Sequence, residues 1–285
     1  VTGIDVENKQ VVGSRGAPVP YDKVSVCPGV GANYFGVPGA KENSRLIYTR
    51  AQALEVRDII FSGLELMAAE ADPNKRFTAV VVGGGATGVE TAGALAEMKT
   101  QALPVLYPEV GVDNFHVVLV EMTDRLLGPF DRRLQRYTRR ELSRLGVDVR
   151  MDTAVQEVAA DHVDFADGSR LDCDLVIWAS GVGGHPEVDG WGLPQGRGGR
   201  ILVGKDLRVV GHDDIYGAGD AVLCADDPQP QLAQPAIQMG VLAARNIIAD
   251  AGGQPRQEFA YHDKGTMATI GRYAAVVQFP KGPKL

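Results

Sequence analysis

Short, unbroken apolar runs that end in glycine recur along the chain. Ala79-Val80-Val81-Val82 runs into Gly83-Gly84-Gly85, Leu175-Val176-Ile177-Trp178 is followed by Gly181, and Ile215-Tyr216 leads into Gly217-Ala218-Gly219. Runs of this length without polar alternation predict strands buried on both faces of a parallel sheet. Between them the period changes. Over residues 49–70, Leu54, Ile59, Ile60, Leu64 and Met67 fall at helical spacing, with Pro73 just beyond the end. Residues 89–99 and 131–145 are the next predicted helices. The second turns Leu134, Leu142 and Leu145 inward and six arginines mostly outward, with Gly146 placed to end it. The apolar run Val117-Val118-Leu119-Val120 lies between them and closes in Glu121. Strand, glycine turn, helix, strand, helix is a βαβα pattern, interrupted by residues 100–115, which read as an insertion.

Outside this unit the signals are shorter. Residues 2–12 alternate around a turn at 7–9 and predict a hairpin, and Val24-Ser25-Val26 ends in a turn at Pro28-Gly29-Val30-Gly31. Asp167-Gly168 marks a second hairpin, and residues 181–184 read as a glycine turn. A helix is expected from about Pro235 to Asp250, and strands near 267–270 and 274–279.

Composition narrows the class. The 285 residues are 45% hydrophobic and 23% charged, an ordinary globular mixture. A formal charge of −7 offers no global positive field for nucleic acid. The three cysteines, Cys27, Cys173 and Cys224, form no CxxC and point to a reducing compartment, and the five histidines show no metal-ligand spacing, so no metal site is expected. No run approaches the ~18 apolar residues of a spanning helix.

The chemistry gathers at the glycines. Gly83-Gly84-Gly85-Ala86-Thr87-Gly88 is a GxGxxG directly after an apolar strand and before a helix. Gly83 allows the tight turn, Gly85 lets a pyrophosphate approach the backbone, and Gly88 lets helix and strand pack closely. Glu121, ending the next strand, is placed to accept hydrogen bonds from ribose hydroxyls and opposes a 2′-phosphate, which favours NADH over NADPH. Glu90, read as lying in the first helical turn, serves either the helix dipole or a site. Asp220 follows a glycine at a strand end, where a carboxylate can take a polyol hydroxyl. Pro235 suits a first helical position, Gln234 and Gln238 share a helix face, and a helix N-terminus there would favour the negative charge of a reduced flavin. The arginine face of residues 131–144 reads first as a solvated surface, with an acidic partner or lipid headgroups as the alternative.

Five segments, GGGATGVE (83–90), VIWASGV (176–182), IYGAGD (215–220), AQPAIQ (233–238) and KGTMATIGR (264–272), resemble in order those of the type II NADH dehydrogenases, single-chain flavoproteins of the pyridine nucleotide-disulfide oxidoreductase superfamily. The resemblance spans nearly the whole chain, and AQxAxQ and KGxMAxIG are its narrower motifs. It implies an α/β fold with two Rossmann-like dinucleotide-binding domains: residues 1–48 as a remnant of an FAD-binding domain, 49–184 as the NADH-binding domain, and 185–285 as the rest of the FAD domain with a quinone-site segment. Gly83, Gly85, Thr87, Gly88 and Glu121 would bind NADH. Glu90 and the turn with Ala179, Gly181 and Val182 would lie beside the nicotinamide, and Gly29, Gly219, Asp220 and Ala233 would bind FAD. Gln234, Gln238 and Lys264 would lie near the isoalloxazine and the quinone. The implied activity is hydride transfer from NADH to FAD and electron transfer on to a quinone, without proton pumping. The alternatives are an NADH-binding module without FAD or turnover, and a related sulfide:quinone or ferredoxin-type reductase, of which the missing cysteine pair disfavours disulfide chemistry.

Two departures from the family stand out. Its first GxGxxG, the flavin pyrophosphate motif, precedes everything in this chain, and its C-terminal amphipathic anchor is not seen before Leu285, which comes just after Lys281 and Lys284. The expectation is a chain truncated at both ends, whose intact parent is a peripheral protein on the cytoplasmic face of the plasma membrane, with a homodimer left open. A smaller departure is Cys27-Pro28-Gly29, where the family has a small residue and threonine or alanine before the glycine.

Overall fold

The computed structural model of the chain describes residues 1–70, 72 and 74–282. Pro73, Lys284 and Leu285 lie outside the described residues. The chain divides into two compact units: a central one, Tyr34–Gly181 with the segment from Gly265 onward, and a flanking one, Val1–Asn33 with Val182–Lys264.

In the central unit four parallel strands lie in the order Leu175–Trp178, Phe77–Val82, Phe115–Val120, Val147–Arg150. Val81 stands opposite both Ile177 and Leu119. The unbroken apolar runs follow from two cores. Ala79, Val81, Leu119 and Ile177 pack on one face with Ile60 and Leu64 of helix Arg50–Glu70, with Val89 and Ala92 of helix Ala86–Glu97, and with Leu142 of helix Arg132–Arg144. Val80, Val82, Val118, Val120 and Trp178 pack on the other face against Val158, Val163 and Phe165. Those three belong to an antiparallel sheet of Val155–Val158, His162–Phe165 and Arg170–Asp172. Alternate residues enter different cores, so neither set can be polar. Each fully buried aliphatic side chain contributes about 1.5–3 kcal/mol.

The expected insertion at 100–115 continues the helix Ala86–Glu97 through a widened turn, Met98–Ala102, and one more turn, Leu103–Leu106, and the next strand opens at Phe115 itself. Helix Arg132–Arg144 is capped by the Asp131 carboxylate, which accepts the Arg133 N–H at 2.9 Å.

The flanking unit is built from small strand pairs. Gly3–Asp5 and Gln10–Val12 form the expected hairpin. Val24–Val26 runs parallel to Ile215–Gly217, and Ile201–Val203 parallel to Val222–Cys224. Val26, Val203, Ile215 and Val222 are buried with Met239, Leu242 and Ala243 of helix Ala233–Ala251. Two turns predicted from their glycines are strands instead. Val182–Gly184 pairs antiparallel with Val30–Ala32, and the close approach of Gly184 to the Gly199 carbonyl shows why side chains are absent there.

The compact units differ from the expected boundaries at 48 and 184. The C-terminal hairpin, Thr266–Thr269 with Ala275–Gln278, buries Ala268, Ile270 and Val276 in the central core, so it does not continue the 185–264 segment. Among the described residues no helix is long and apolar enough to cross a membrane.

Candidate functional site

In the central unit the functional candidates meet at the carboxyl ends of the parallel strands, where ligands of open α/β sheets bind. Gly83 takes φ +111°, and its N–H donates to the Val120 carbonyl at 2.8 Å. Gly88 lies in the first helical turn, where a Cβ would sit 1.8 Å from the Gly83 carbonyl oxygen. A side chain there would push helix and turn apart. Gly85 differs: it is the residue before the helix, and a Cβ at its position would meet nothing within 4 Å. The turn is therefore closed on itself at Gly83 and Gly88 and open at Gly85, beside the unsatisfied N–H groups of the first turn.

Glu121 is bound into this turn. Its carboxylate accepts the Gly84 N–H at 2.7 Å through one oxygen and the Thr123 N–H at 2.8 Å through the other. The Leu127 N–H in turn donates to the Gly84 carbonyl at 2.8 Å, so the segment after the strand is laced to the glycines. Thr87 is exposed in the first turn, where its carbonyl accepts the Thr91 hydroxyl at 2.7 Å.

Helix Ala86–Glu97 begins at Ala86 and carries no acidic residue in its first turn. Glu90 is thus one step beyond the position expected for a dipole role. Its carboxylate instead accepts the Thr269 N–H at 3.1 Å and fixes the C-terminal hairpin. Ala179 leaves the neighbouring strand with its N–H on the Val82 carbonyl, and Gly181 takes φ +70° with its carbonyl facing the Tyr48 hydroxyl. Gly83, Gly85, Thr87, Gly88, Glu121, Glu90, Ala179 and Gly181 share this unit, whereas Val182 belongs to the flanking one.

In the flanking unit Gly29 and Gly219 take φ +76° and +80° just past the ends of the paired strands Val24–Val26 and Ile215–Gly217. Asp220 follows, half-buried. Burial pushes its carboxyl up, against the pull of the Arg200 guanidinium, while burial pulls Arg200 down. No hydrogen-bond donor among the described residues reaches the Asp220 carboxylate, and the Nε of Arg200 is buried without a partner. A Cβ on Gly219 would lie 3.4 Å from Ala236, which sets Gly219 and Asp220 against the first turn of helix Ala233–Ala251.

That helix starts two residues before the expected Pro235, at Ala233. Proline is tolerated at this third position because the first four N–H groups have no helical acceptor. Gln234 is half-buried. Gln238 makes a reciprocal pair with the backbone of His262: its amide N–H donates to the carbonyl, and its oxygen accepts the N–H, both at 2.9 Å. The clasp fixes the strap that carries exposed Lys264 two residues on.

Sequence reasoning passed over Asn246, 1% exposed, which holds the other end of this strap. Its amide donates to the Gln257 carbonyl at 2.8 Å and to the Asp206 carbonyl at 2.9 Å, and its oxygen accepts the Gln257 N–H at 2.9 Å. An asparagine on the buried face of an apolar helix was the available signal. Also unforeseen was Asp250, whose carboxylate receives Lys23 and the Tyr216 hydroxyl, each at 2.8 Å, and Arg256. Lys23 first, then Tyr216 and Arg256, hold the Asp250 carboxyl far below the ordinary carboxylate range. Burial and this carboxylate push the Tyr216 hydroxyl up to about 12.

The three cysteines are free, Cys173 and Cys224 buried and Cys27 exposed. Burial raises the Cys173 thiol to about 12, which leaves it unreactive at neutral pH.

The family described as pyridine nucleotide-disulphide oxidoreductase matches residues 1–240. Among curated relatives, the chain is 29% identical over 290 residues to a protein of Dictyostelium discoideum named probable NADH dehydrogenase, covering 98% of this chain and 64% of that one. It is 31% identical over 295 residues to a type II NADH:quinone oxidoreductase of Mycobacterium tuberculosis, covering 98% and 63%. The chain thus spans less than two thirds of either relative. Among solved structures, NDH2 from Plasmodium falciparum in complex with NADH has the same fold, with a TM-score of 0.85 at 19% identity, over 98% of this chain and 74% of that one.

Proposed function

The chain belongs to the pyridine nucleotide-disulphide oxidoreductase family, and on that premise we propose that it forms the NADH site and part of the FAD site of an NADH:quinone oxidoreductase. One observation carries the reading. The glycine turn is sealed by backbone contact at Gly83 and Gly88 and open at Gly85 alone, against the N-terminus of a 12-residue helix. A pyrophosphate fits that opening, taking hydrogen bonds from free N–H groups at the positive end of the helix dipole. Glu121 then offers its remaining lone pairs to the ribose hydroxyls. Ala179, Gly181 and Glu90 take the nicotinamide end, and the Val182 contact follows from the same assignment.

The flanking unit fits FAD at the half-buried Asp220 carboxylate, which has no donor among the described residues, beside a helix N-terminus and the positive-φ glycines 29 and 219. Asp220 would accept ribityl hydroxyls, and Ala233, at the helix start, would present its free N–H to the isoalloxazine. Gln234, Gln238 and Lys264 are assigned to the quinone side. Bound flavin supplies the chemistry, accepting two electrons from NADH as a hydride and releasing them to a quinone. The protein's share is to hold each cofactor and to place donors where negative charge develops.

A peripheral contact on the cytoplasmic face of the plasma membrane, and a homodimer, complete the proposal for the whole protein. Support for an apolar contact comes from Ile237, Val241 and Ile248, exposed on one flank of helix Ala233–Ala251.

The test is a visible absorption spectrum of the chain after FAD loading and removal of excess, before and after anaerobic NADH and then a soluble quinone. Flavin absorbance that bleaches with NADH and returns with quinone is expected. NADH binding without retained flavin would restrict the chain to the nicotinamide half, and absence of NADH binding would overturn the reading.

A further inference from the structure

The arginines of helix Arg132–Arg144 are not one solvated face. Arg140 and Arg144 share the Glu141 carboxylate, at 3.8 and 2.8 Å. Arg132, Arg136 and Arg139, at i, i+4 and i+7, line a cavity of about 100 Å³ and have no carboxylate partner among the described residues. The opposite wall is Asp124, Arg125 and Leu126, with Met151 at the end. Arg125 is neutralised by Asp124 at 2.6 Å, so three positive charges are left uncompensated. Like charges at this spacing destabilise a helix, and they do so here in a chain whose formal charge is −7.

The cavity is rigidly made. Gln135, buried on its floor, spends its amide N–H groups on the carbonyls of Gly128 and Phe130, at 3.0 and 2.7 Å, which fixes the loop below the helix. Leu126 packs towards Gly84, and Leu127 is hydrogen-bonded to it. Of the carboxylates on this side of the sheet, Asp124 in the wall is paired with Arg125, and Glu121 is engaged by two backbone N–H groups.

The geometry points to an oxyanion site in which Arg132, Arg136 and Arg139 bind a phosphate dianion. Guanidinium groups suit this ligand because each offers paired N–H donors matching two oxygens. A cavity of about 100 Å³ has room for one tetrahedral anion. The phosphate comes either from solution or from the 2′-position of a dinucleotide seated on the glycine turn. The site itself stands without the dinucleotide reading.

The experiment is calorimetric titration of the whole chain with inorganic phosphate at constant ionic strength. Wild type is compared with Arg136→Gln/Arg139→Gln and with Arg140→Gln/Arg144→Gln, a pair that does not line the cavity. Saturable binding is expected in wild type and the second variant, weakened about tenfold or more in the first. Absence of saturable binding in wild type, or equal binding in all three, overturns the site. Because all four arginines are exposed, unchanged unfolding midpoints without phosphate verify the fold. Adenosine 2′,5′-bisphosphate and adenosine 5′-monophosphate identify the source. A preference for the bisphosphate that vanishes in the first variant assigns the anion to the nucleotide; equal binding of the two, with inorganic phosphate still saturating, assigns it to solution. NADH titration of the same variants reports on the glycine turn separately.

Discussion

The Glu121 carboxylate accepts the Gly84 N–H at 2.7 Å, joining the end of one strand to the turn that follows its neighbour. The same side chain is thus both a proposed ribose ligand and a brace for the phosphate turn. Glu121→Gln keeps the size but removes the charge, and its single amide oxygen can accept from only one of the two N–H groups that the carboxylate holds. NADH affinity is expected to fall about tenfold, or ~1.4 kcal/mol, with flavin content unchanged. Fluorescence titration with NADH measures it, and an unaltered dissociation constant would remove Glu121 from the site.

Gly85 and Gly88, three residues apart, should respond oppositely to alanine. At Gly88 the new methyl would meet the Gly83 carbonyl oxygen, so stability should drop by about 3 kcal/mol. At Gly85 there is open space and an ordinary φ of −71°, so stability should change by less than about 1 kcal/mol while NADH binding weakens. Urea unfolding and NADH titration separate the two, and equal destabilisation would contradict the open cradle.

Stability should carry an acid-side signature of Asp250. Its carboxyl is depressed in the folded state, chiefly by Lys23. The contribution is therefore present above the unfolded value of roughly 3.9 and is lost as pH falls through the lower folded value. Asp250→Asn should cost about 2–4 kcal/mol near neutrality, a gap that narrows steadily in more acidic buffer. Tyr216 works in the other direction. Its folded value of about 12 lies above the unfolded one, so its contribution holds below the unfolded value and fades as pH rises through the folded one. Denaturant midpoints across pH for wild type and variant would show a constant gap if the ionic cluster were irrelevant.

The two amide clasps on the strap should fail separately. Gln238→Ala releases only the end near His262, so trypsin should cut faster at Lys264 with little change in overall stability. Asn246→Ala removes the side chain that pairs the half-buried backbone groups of Gln257 and Asp206 and should cost about 1–3 kcal/mol. Identical cleavage kinetics for wild type and Gln238→Ala would show that the first clasp holds nothing.

What could be seen in the sequence was what is local. The runs 79–82, 117–120 and 175–178, and the glycine turn after the first of them, carry their own period and their own breakers. Three-residue strands such as Val30–Ala32 and Val182–Gly184 have no period to detect, and their pairing joins segments about 150 positions apart. The placement of the C-terminal hairpin was hidden for a related reason. It depends on Gly93 admitting the Gly271 backbone, and on Glu90 and Glu97 accepting the Thr269 and Arg272 N–H groups. Neither glutamate differs in sequence from a solvated helix residue. Among the candidate site residues, the glycines and Glu121 were legible because their places in the turn follow from backbone geometry. Gln238 was legible only as a helix-face residue, because its partner is a main-chain group that any residue supplies.

Both units are assembled from segments that are not contiguous in the chain, and this bears on synthesis. Emerging from a ribosome, the strand Val24–Val26 must wait for its parallel partner Ile215–Gly217 until the intervening Tyr34–Gly181 has been made. The central core in turn lacks Ala268, Ile270 and Val276 until Val182–Lys264 has been translated. Neither unit can reach its native packing vectorially, and each passes through a stage with an unpaired strand or an uncovered apolar surface. Such interleaved connectivity raises contact order and slows folding, and it makes the nascent chain a natural client for chaperones during elongation.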